Sequence, residues 1–211
     1  MLRYGLYLQL VNLMGASLVE TISDASSATH VIAGGEKGFR RTSMMMIGLC
    51  STSNILHVDW LWACFQAGKI LPCTHHLLLK DRPSERKYSY SMRQTLRNGQ
   101  LRRKEGGLLY GWNVYICKGV AGRKSPSEKD WNLLIDAAGG TMMTHSEVPL
   151  TQAEDPTHVL VITSDPPLPS QITDVDASRL SYEGAGRFTT TWLFDCILHQ
   201  KLSGIKRGLG R

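Results

Sequence analysis

The sequence lacks the features that mark several large classes of protein. No apolar run approaches the ~18 residues that a membrane-spanning helix needs, so we predict no membrane partner. The motifs HExxH, GxSxG and GxxxxGK, which mark zinc proteases, serine hydrolases and phosphate-binding loops, are also missing. Ser164 and Asp165 beside PPLP are typical of a turn, and Asp195 has no obvious base partner. We therefore predict a protein that is not an enzyme and has no small-molecule substrate.

Cysteine is scarce and irregularly spaced. The chain contains five, namely Cys50, Cys64, Cys73, Cys117 and Cys196. An odd number at irregular spacing indicates reduced thiols in an intracellular protein rather than a disulfide framework. The sequence CTHH at 73–76 has no second pair of ligands at a suitable distance, so we predict no metal and no other cofactor.

The positive charge is concentrated in one segment. The formal net charge is +6, and residues 80–105 contain nine basic and three acidic residues, so nine minus three accounts for all of it. Two interpretations remain open: a solvated linker, which we favour, or a surface for an anionic partner such as DNA. In the second interpretation Tyr88 and Tyr90 either stack on bases or pin the segment to the rest of the protein. The candidate nucleic-acid contacts are Arg93, Arg97, Arg102, Arg103 and Lys104.

One pattern occurs on both sides of this basic segment. The stretches DWLWACFQAGK at 59–69 and TWLFDCILHQK at 191–201 share tryptophan, leucine, an aromatic residue and cysteine at equal spacing. Upstream lie ATHVIAG at 28–34 and PTHVLVI at 156–162, each typical of a buried strand. Apolar residues at i and i+4 predict a helix with one apolar face. We assign the repeated residues to the structural core, namely Trp60, Cys64, Trp192 and Cys196.

Strands that alternate with helices predict an α/β fold with largely parallel sheets. The stretch YGLYLQLVNLMG at 4–15 has leucines at 6, 10 and 13 and reads as a first helix. No residues remain before it for a strand, so the first repeat is predicted to lack its first strand. Either the chain begins late, as a fragment would, or it uses its first residues differently.

The repeated Gly turn, THV strand and W-L-x-x-C helix resemble a tandem BRCT repeat. The stretches at 40–61, 76–96 and 111–120 resemble the BRCT pairs of DNA-damage checkpoint mediators. The resemblance implies two BRCT-like repeats, each a small mostly parallel sheet flanked by helices, packed in tandem. The predicted units are repeat one at 1–76, a linker at 77–108, repeat two at 109–205 and a basic tail at 206–211. The repeats should pack through the helix near 43–49 and the first and last helices of repeat two, with Trp131, Leu134 and Ile197 at the boundary.

The resemblance also implies a function and a site. Proteins of this group are nuclear adaptors that bind phosphorylated protein tails, and a damage-marked histone is one such partner. By this resemblance Arg41 holds the carboxyl terminus of the peptide. Thr42 supplies a hydroxyl or caps a helix, and Met44 stands where the cation for the phosphate is expected. Since methionine carries no charge, we predict weak phosphate recognition.

Overall fold

The computed structural model describes residues 2–121, 125–143 and 158–205. The predicted basic tail at 206–211 and the start of the second THV pattern at 156–157 lie outside the described residues. Within those residues helices alternate with parallel strands, and the predicted α/β fold is confirmed.

The first half of the chain opens with a helix. Its elements are α1 (Leu2–Leu13), a 3₁₀ turn (Ile22–Ser27), β1 (Val31–Ala33), α2 (Ser43–Ser51), β2 (Ile55–His57), α3 (Asp59–Ala67) and a second 3₁₀ turn (Cys73–His75). β1 and β2 pair in parallel, with Val31 opposite Ile55. Over the described residues this half has a two-stranded sheet and no strand before α1, as the sequence predicted.

The basic segment is helical and anchored. It forms α4 (Arg82–Tyr88) and α5 (Met92–Lys104). Tyr90 is 8% exposed, and its hydroxyl lies 2.7 Å from the Ser84 hydroxyl oxygen. The buried carboxylate of Asp81 accepts hydrogen bonds from the Phe39 backbone N–H at 3.0 Å and from Ser84 at 2.6 Å. The segment is therefore packed against repeat one rather than a solvated linker.

Over its described residues the second half contains a four-stranded sheet. Its elements are β3 (Asn113–Ile116), α6 (Glu128–Ala137), β4 (Thr141–Met143), β5 (Val159–Thr163), α7 (Pro169–Ile172), α8 (Val175–Glu183), β6 (Gly186–Thr189) and α9 (Thr190–His199). The strand order is β4-β3-β5-β6, and every neighbouring pair is parallel. β5 is buried along its whole length, as its continuous apolar sequence predicts.

The apolar helix α2 joins the two halves. Residues 45–50 are all buried, and a helix that is buried on every side needs neighbours on every side. It contacts the first 3₁₀ turn, α5, α6 and α9. Trp131, Leu134 and Ile197 lie in the same buried cluster as Met46. The predicted packing through the helix near 43–49 and the first and last helices of repeat two is thus confirmed.

The repeated tryptophans perform the same structural task. The Trp60 indole N–H donates to the Leu71 carbonyl at 3.1 Å, and that of Trp192 donates to the Ser203 carbonyl at 2.9 Å. In both cases the acceptor lies 11 residues further along the chain, beyond the end of the helix. Each tryptophan therefore ties the segment after a terminal helix to that helix.

The four residues that we assigned to the core differ in burial. Trp60, Cys64 and Cys196 are 5%, 0% and 1% exposed. Trp192 is only partly buried and stacks on Phe188 with ring centroids 3.8 Å apart, so it covers the edge of the core.

We expect Trp60→Ala to reduce the free energy of unfolding by about 3–5 kcal/mol, because it removes a buried aromatic side chain. Trp192→Ala should cost about 2 kcal/mol, since its ring is partly exposed and its single hydrogen bond contributes about 1 kcal/mol. Urea denaturation followed by circular dichroism measures both. Trp→Phe at each position is the matched control, which keeps a ring and loses the donor. A loss under about 1 kcal/mol for Trp60→Ala would contradict the core assignment.

We also expect the two halves to remain associated after the chain is cut between them. A protease recognition site inserted between Glu105 and Gly106, at the end of α5, allows specific cleavage without disturbing α2. Size-exclusion chromatography of the cut protein should give one peak that contains both fragments. Two folded fragments that elute separately would mean that the contacts of α2 do not hold the repeats together.

Candidate functional site

Arg41 lies where the two repeats meet. It precedes α2, and its Nη1 donates to Asp195 Oδ1 on α9 at 2.9 Å. The side chains are 24% and 45% exposed, so the pair is open to solvent on one side. Sequence analysis did not predict this ion pair, because the fold brings together residues 154 positions apart.

Aromatic rings from α4 and α9 frame the Arg41 guanidinium. Its central carbon lies 4.6 Å from the centre of the Tyr88 ring and 5.6 Å from that of Phe194. Cation–π contact of this kind holds a guanidinium in a fixed plane. Sequence reasoning found Arg41 but missed these partners. The sequence did contain a signal for an ion pair, because Asp195 is the one Asp, Glu, Lys or Arg of α9.

Thr42 caps α2. Its side-chain oxygen accepts a hydrogen bond from the Met45 backbone N–H at 3.3 Å, which confirms the capping role considered from the sequence. Because the oxygen only accepts in this contact, the hydroxyl hydrogen is available for an anion. Met44 is 38% exposed, whereas Met45 and Met46 are buried. Arg40 is exposed beside them.

The start of α2 therefore presents a hydroxyl, helix N–H groups and a neighbouring arginine, but no cation on its own first turn. A helix N-terminus favours anions through its backbone N–H groups and dipole. The arrangement suits a carboxylate at Arg41 better than a phosphate at Met44.

The basic segment divides into structural and exposed residues. Arg103 donates to the Leu49 carbonyl at 3.1 Å and to the Ser53 hydroxyl, at the C-terminal end of α2. Burial lowers the pKa of this guanidinium. Arg102 pairs with Glu105 at 2.7 Å. Neither is freely available, so the predicted five-residue nucleic-acid surface reduces to three exposed cations, namely Arg93, Arg97 and Lys104.

The cysteines offer little chemistry. All five are free, and four are buried. Burial raises the pKa of the Cys50 thiol to about 11, and Gln200 donates to its sulfur at 3.7 Å. Cys73 is partly exposed in the second 3₁₀ turn. In the described part of the chain, no three His, Cys, Asp or Glu side chains gather as a metal site. The helices described there are also too short or too polar to cross a membrane.

A cavity of about 680 Å³ opens next to this site, between α2 on one side and α1 and α3 on the other. Arg40, Thr42 and Met44 are part of its lining, and the rest is largely apolar. No sequence pattern indicated this cavity.

Comparison with known proteins shows what this chain is similar to. Residues 107–207 match the BRCT domain. The chain is 28% identical over 130 residues to mediator of DNA damage checkpoint protein 1 of Mus musculus, which covers 62% of this chain and 7% of the relative. It is 25% identical over 138 residues to PAX-interacting protein 1 of Bos taurus, covering 65% and 12%. The matches therefore span about an eighth or less of the length of these relatives.

A solved structure of a tandem BRCT pair has a similar fold. The BRCT5–BRCT6 pair of S. pombe Brc1 superposes with a TM-score of 0.69 over 95% of this chain and 90% of that one, at 16% sequence identity. Residues 107–207 are therefore similar to the BRCT domain, and the described residues have the fold of a tandem BRCT pair.

Proposed function

We propose that this chain is a nuclear adaptor that binds the anionic tail of a partner protein at Arg41. BRCT pairs of DNA-damage-response proteins are in general protein-interaction modules, which supports the proposal. The single observation that carries the proposal is the position of Arg41: it is partly exposed at the repeat boundary and held by Asp195, Tyr88 and Phe194.

The geometry of a guanidinium explains how Arg41 serves both repeats and ligand. It has five N–H donors in one plane, and Asp195 engages one of its nitrogens at hydrogen-bond distance. The remaining donors can form the bidentate contact that carboxylates accept. The ion pair with Asp195 then orients the guanidinium, while the peptide's terminal carboxylate supplies the second acceptor group.

Phosphate recognition is the weaker part of this function. A phosphoserine carries about −1.5 to −2 charges and needs donors around three oxygens. The Thr42 hydroxyl and the first N–H groups of α2 supply some, but Met44 supplies none. The proposed ligand is thus a phosphorylated tail, with that of a damage-marked histone as the model, held mainly through its carboxyl terminus.

We expect Met44→Lys to tighten binding of a phosphoserine peptide by about 10- to 100-fold. The new cation adds a charge-assisted hydrogen bond, which contributes on the order of 1.5–3 kcal/mol. The unphosphorylated peptide should bind the variant and the unchanged chain alike. Isothermal calorimetry with both peptides measures this difference, and tight phosphate-dependent binding by the unchanged chain would contradict the weak-pocket interpretation.

We expect Arg41→Ala to abolish the preference for a peptide with a free carboxyl terminus over its amidated form. Calorimetry with this second pair of peptides gives the result directly. Arg40→Ala is the matched control, because Arg40 is an exposed neighbour without an ion pair to repeat two. Equal discrimination by Arg41→Ala and the unchanged chain would remove the basis of the proposal, provided that both melt at similar temperatures.

A second candidate function is nucleic-acid binding through α5. Arg93, Arg97 and Lys104 fall within about 40° of one another on a helical projection, and all three are exposed. The three acidic residues of the segment have other partners. Asp81 is buried and accepts from the Phe39 N–H, Glu85 accepts from the Met92 N–H, and Glu105 pairs with Arg102. Three cations on one stripe can contact a phosphate backbone.

If α5 binds DNA, replacement of all three cations by glutamine should lower the slope of log affinity against log salt by about 2 to 3, since each phosphate contact contributes about 0.9. Fluorescence anisotropy with a labelled duplex at several salt concentrations measures the slope. Arg102→Gln serves as the control, because Arg102 is already paired with Glu105. An unchanged slope in the triple variant would exclude this function for α5.

A further inference from the structure

A second cation shares the aromatic ring that positions Arg41. The ammonium nitrogen of Lys87 lies 5.0 Å from the centre of the Tyr88 ring, and the central carbon of the Arg41 guanidinium lies 4.6 Å from the same centre. The two cationic groups are therefore no more than 9.6 Å apart, the sum of these distances. Arg41 is thus one member of a pair of cations that a single ring brings together.

Lys87 differs from Arg41 in having no carboxylate partner. It is exposed, and among the described residues its ammonium group forms no ion pair. Glu85, two residues earlier on α4, accepts from the Met92 backbone N–H at 2.8 Å. Asp195 is bonded to Arg41. The charge of Lys87 is therefore available to an anionic ligand.

The distance between the two cations limits how the anions of a ligand are spaced. An extended chain advances about 3.3–3.6 Å per residue. If the terminal carboxylate of a tail binds Arg41, a side-chain carboxylate one or two residues before the last residue reaches Lys87, whereas one further back lies too far away. The ammonium group ends a flexible four-carbon stem, so the contact needs a nearby charge and no fixed geometry.

We propose that Lys87 selects tails with an acidic residue one or two positions before the carboxyl-terminal residue. This inference rests on the proposed binding of a terminal carboxylate at Arg41 and adds a requirement to it. Arg41 recognises the end of the chain and Lys87 recognises the acidic side chain close to it, with Tyr88 between them. A tail without that acidic residue leaves the ammonium group unpaired and binds less tightly.

Exposed cations flank both members of the pair. Arg40 precedes Arg41, Arg86 precedes Lys87, and both Arg40 and Arg86 are exposed. Together these charges attract any acidic peptide through their summed field. Such a field does not distinguish one position in the peptide from the next, whereas a contact with Lys87 does. The test must therefore compare positions of the acidic residue as well as charges on the protein.

The probes are N-acetylated octapeptides of glycine, serine and alanine with a free carboxyl terminus. One glutamate is placed in turn at each of the four positions before the last residue, and each peptide has a glutamine twin. Nuclear magnetic resonance titration of the protein measures the dissociation constants at physiological ionic strength, where charges more than about 8 Å apart are screened. Glutamate at the first or second position before the last residue should bind about 2- to 5-fold tighter than glutamine, as expected for an exposed ion pair.

Lys87→Glu should reverse this preference, so that the glutamine twin binds tighter. Arg86→Glu is the matched control, because it changes the net charge by the same amount one residue earlier on α4. The preference for glutamate should survive in this control. Equal loss in both variants would overturn the proposal, because the summed field would then explain binding. A preference that Lys87→Glu leaves intact would overturn it as well.

Amidated forms of the same peptides separate this proposal from the one on which it rests. If a free carboxyl terminus strengthens binding and glutamate does not, selection by Lys87 is wrong and tail binding at Arg41 stands. If neither the free terminus nor glutamate changes the affinity, or if no peptide binds, both proposals are wrong.

Discussion

The burial of α2 on every side is the constraint on which the rest of this structure depends. A helix that exposes almost none of its middle residues must be surrounded, and its neighbours come from both repeats and from the segment between them. Its carbonyl end then lies where water has little access, and such groups need a partner. Arg103 is the partner, since it donates to the Leu49 carbonyl, and its burial there lowers the pKa of its guanidinium. The basic segment therefore has a structural role first, in packing against α2.

The same constraint creates the candidate site. Packing of α2 against α9 brings Arg41 within 2.9 Å of Asp195, and among the described residues neither forms an ion pair within its own repeat. A partly exposed ion pair adds at most about 1 kcal/mol to stability. Its effect is positional instead, because the carboxylate and the flanking rings hold the guanidinium in one plane. A ligand that binds there therefore requires the two repeats to be packed together, and neither repeat alone would offer the same site.

Local patterns predicted the elements and the core, whereas long-range contacts were beyond them. The spacing around Trp60 and Trp192 predicted two terminal helices, and both are present as α3 and α9. The charge pattern of residues 80–105 was read as a solvated linker, because sequence cannot show that Asp81 and Arg103 are turned inward to bond backbone groups. The partners of Arg41 depend on how two repeats pack, and no local periodicity encodes that angle.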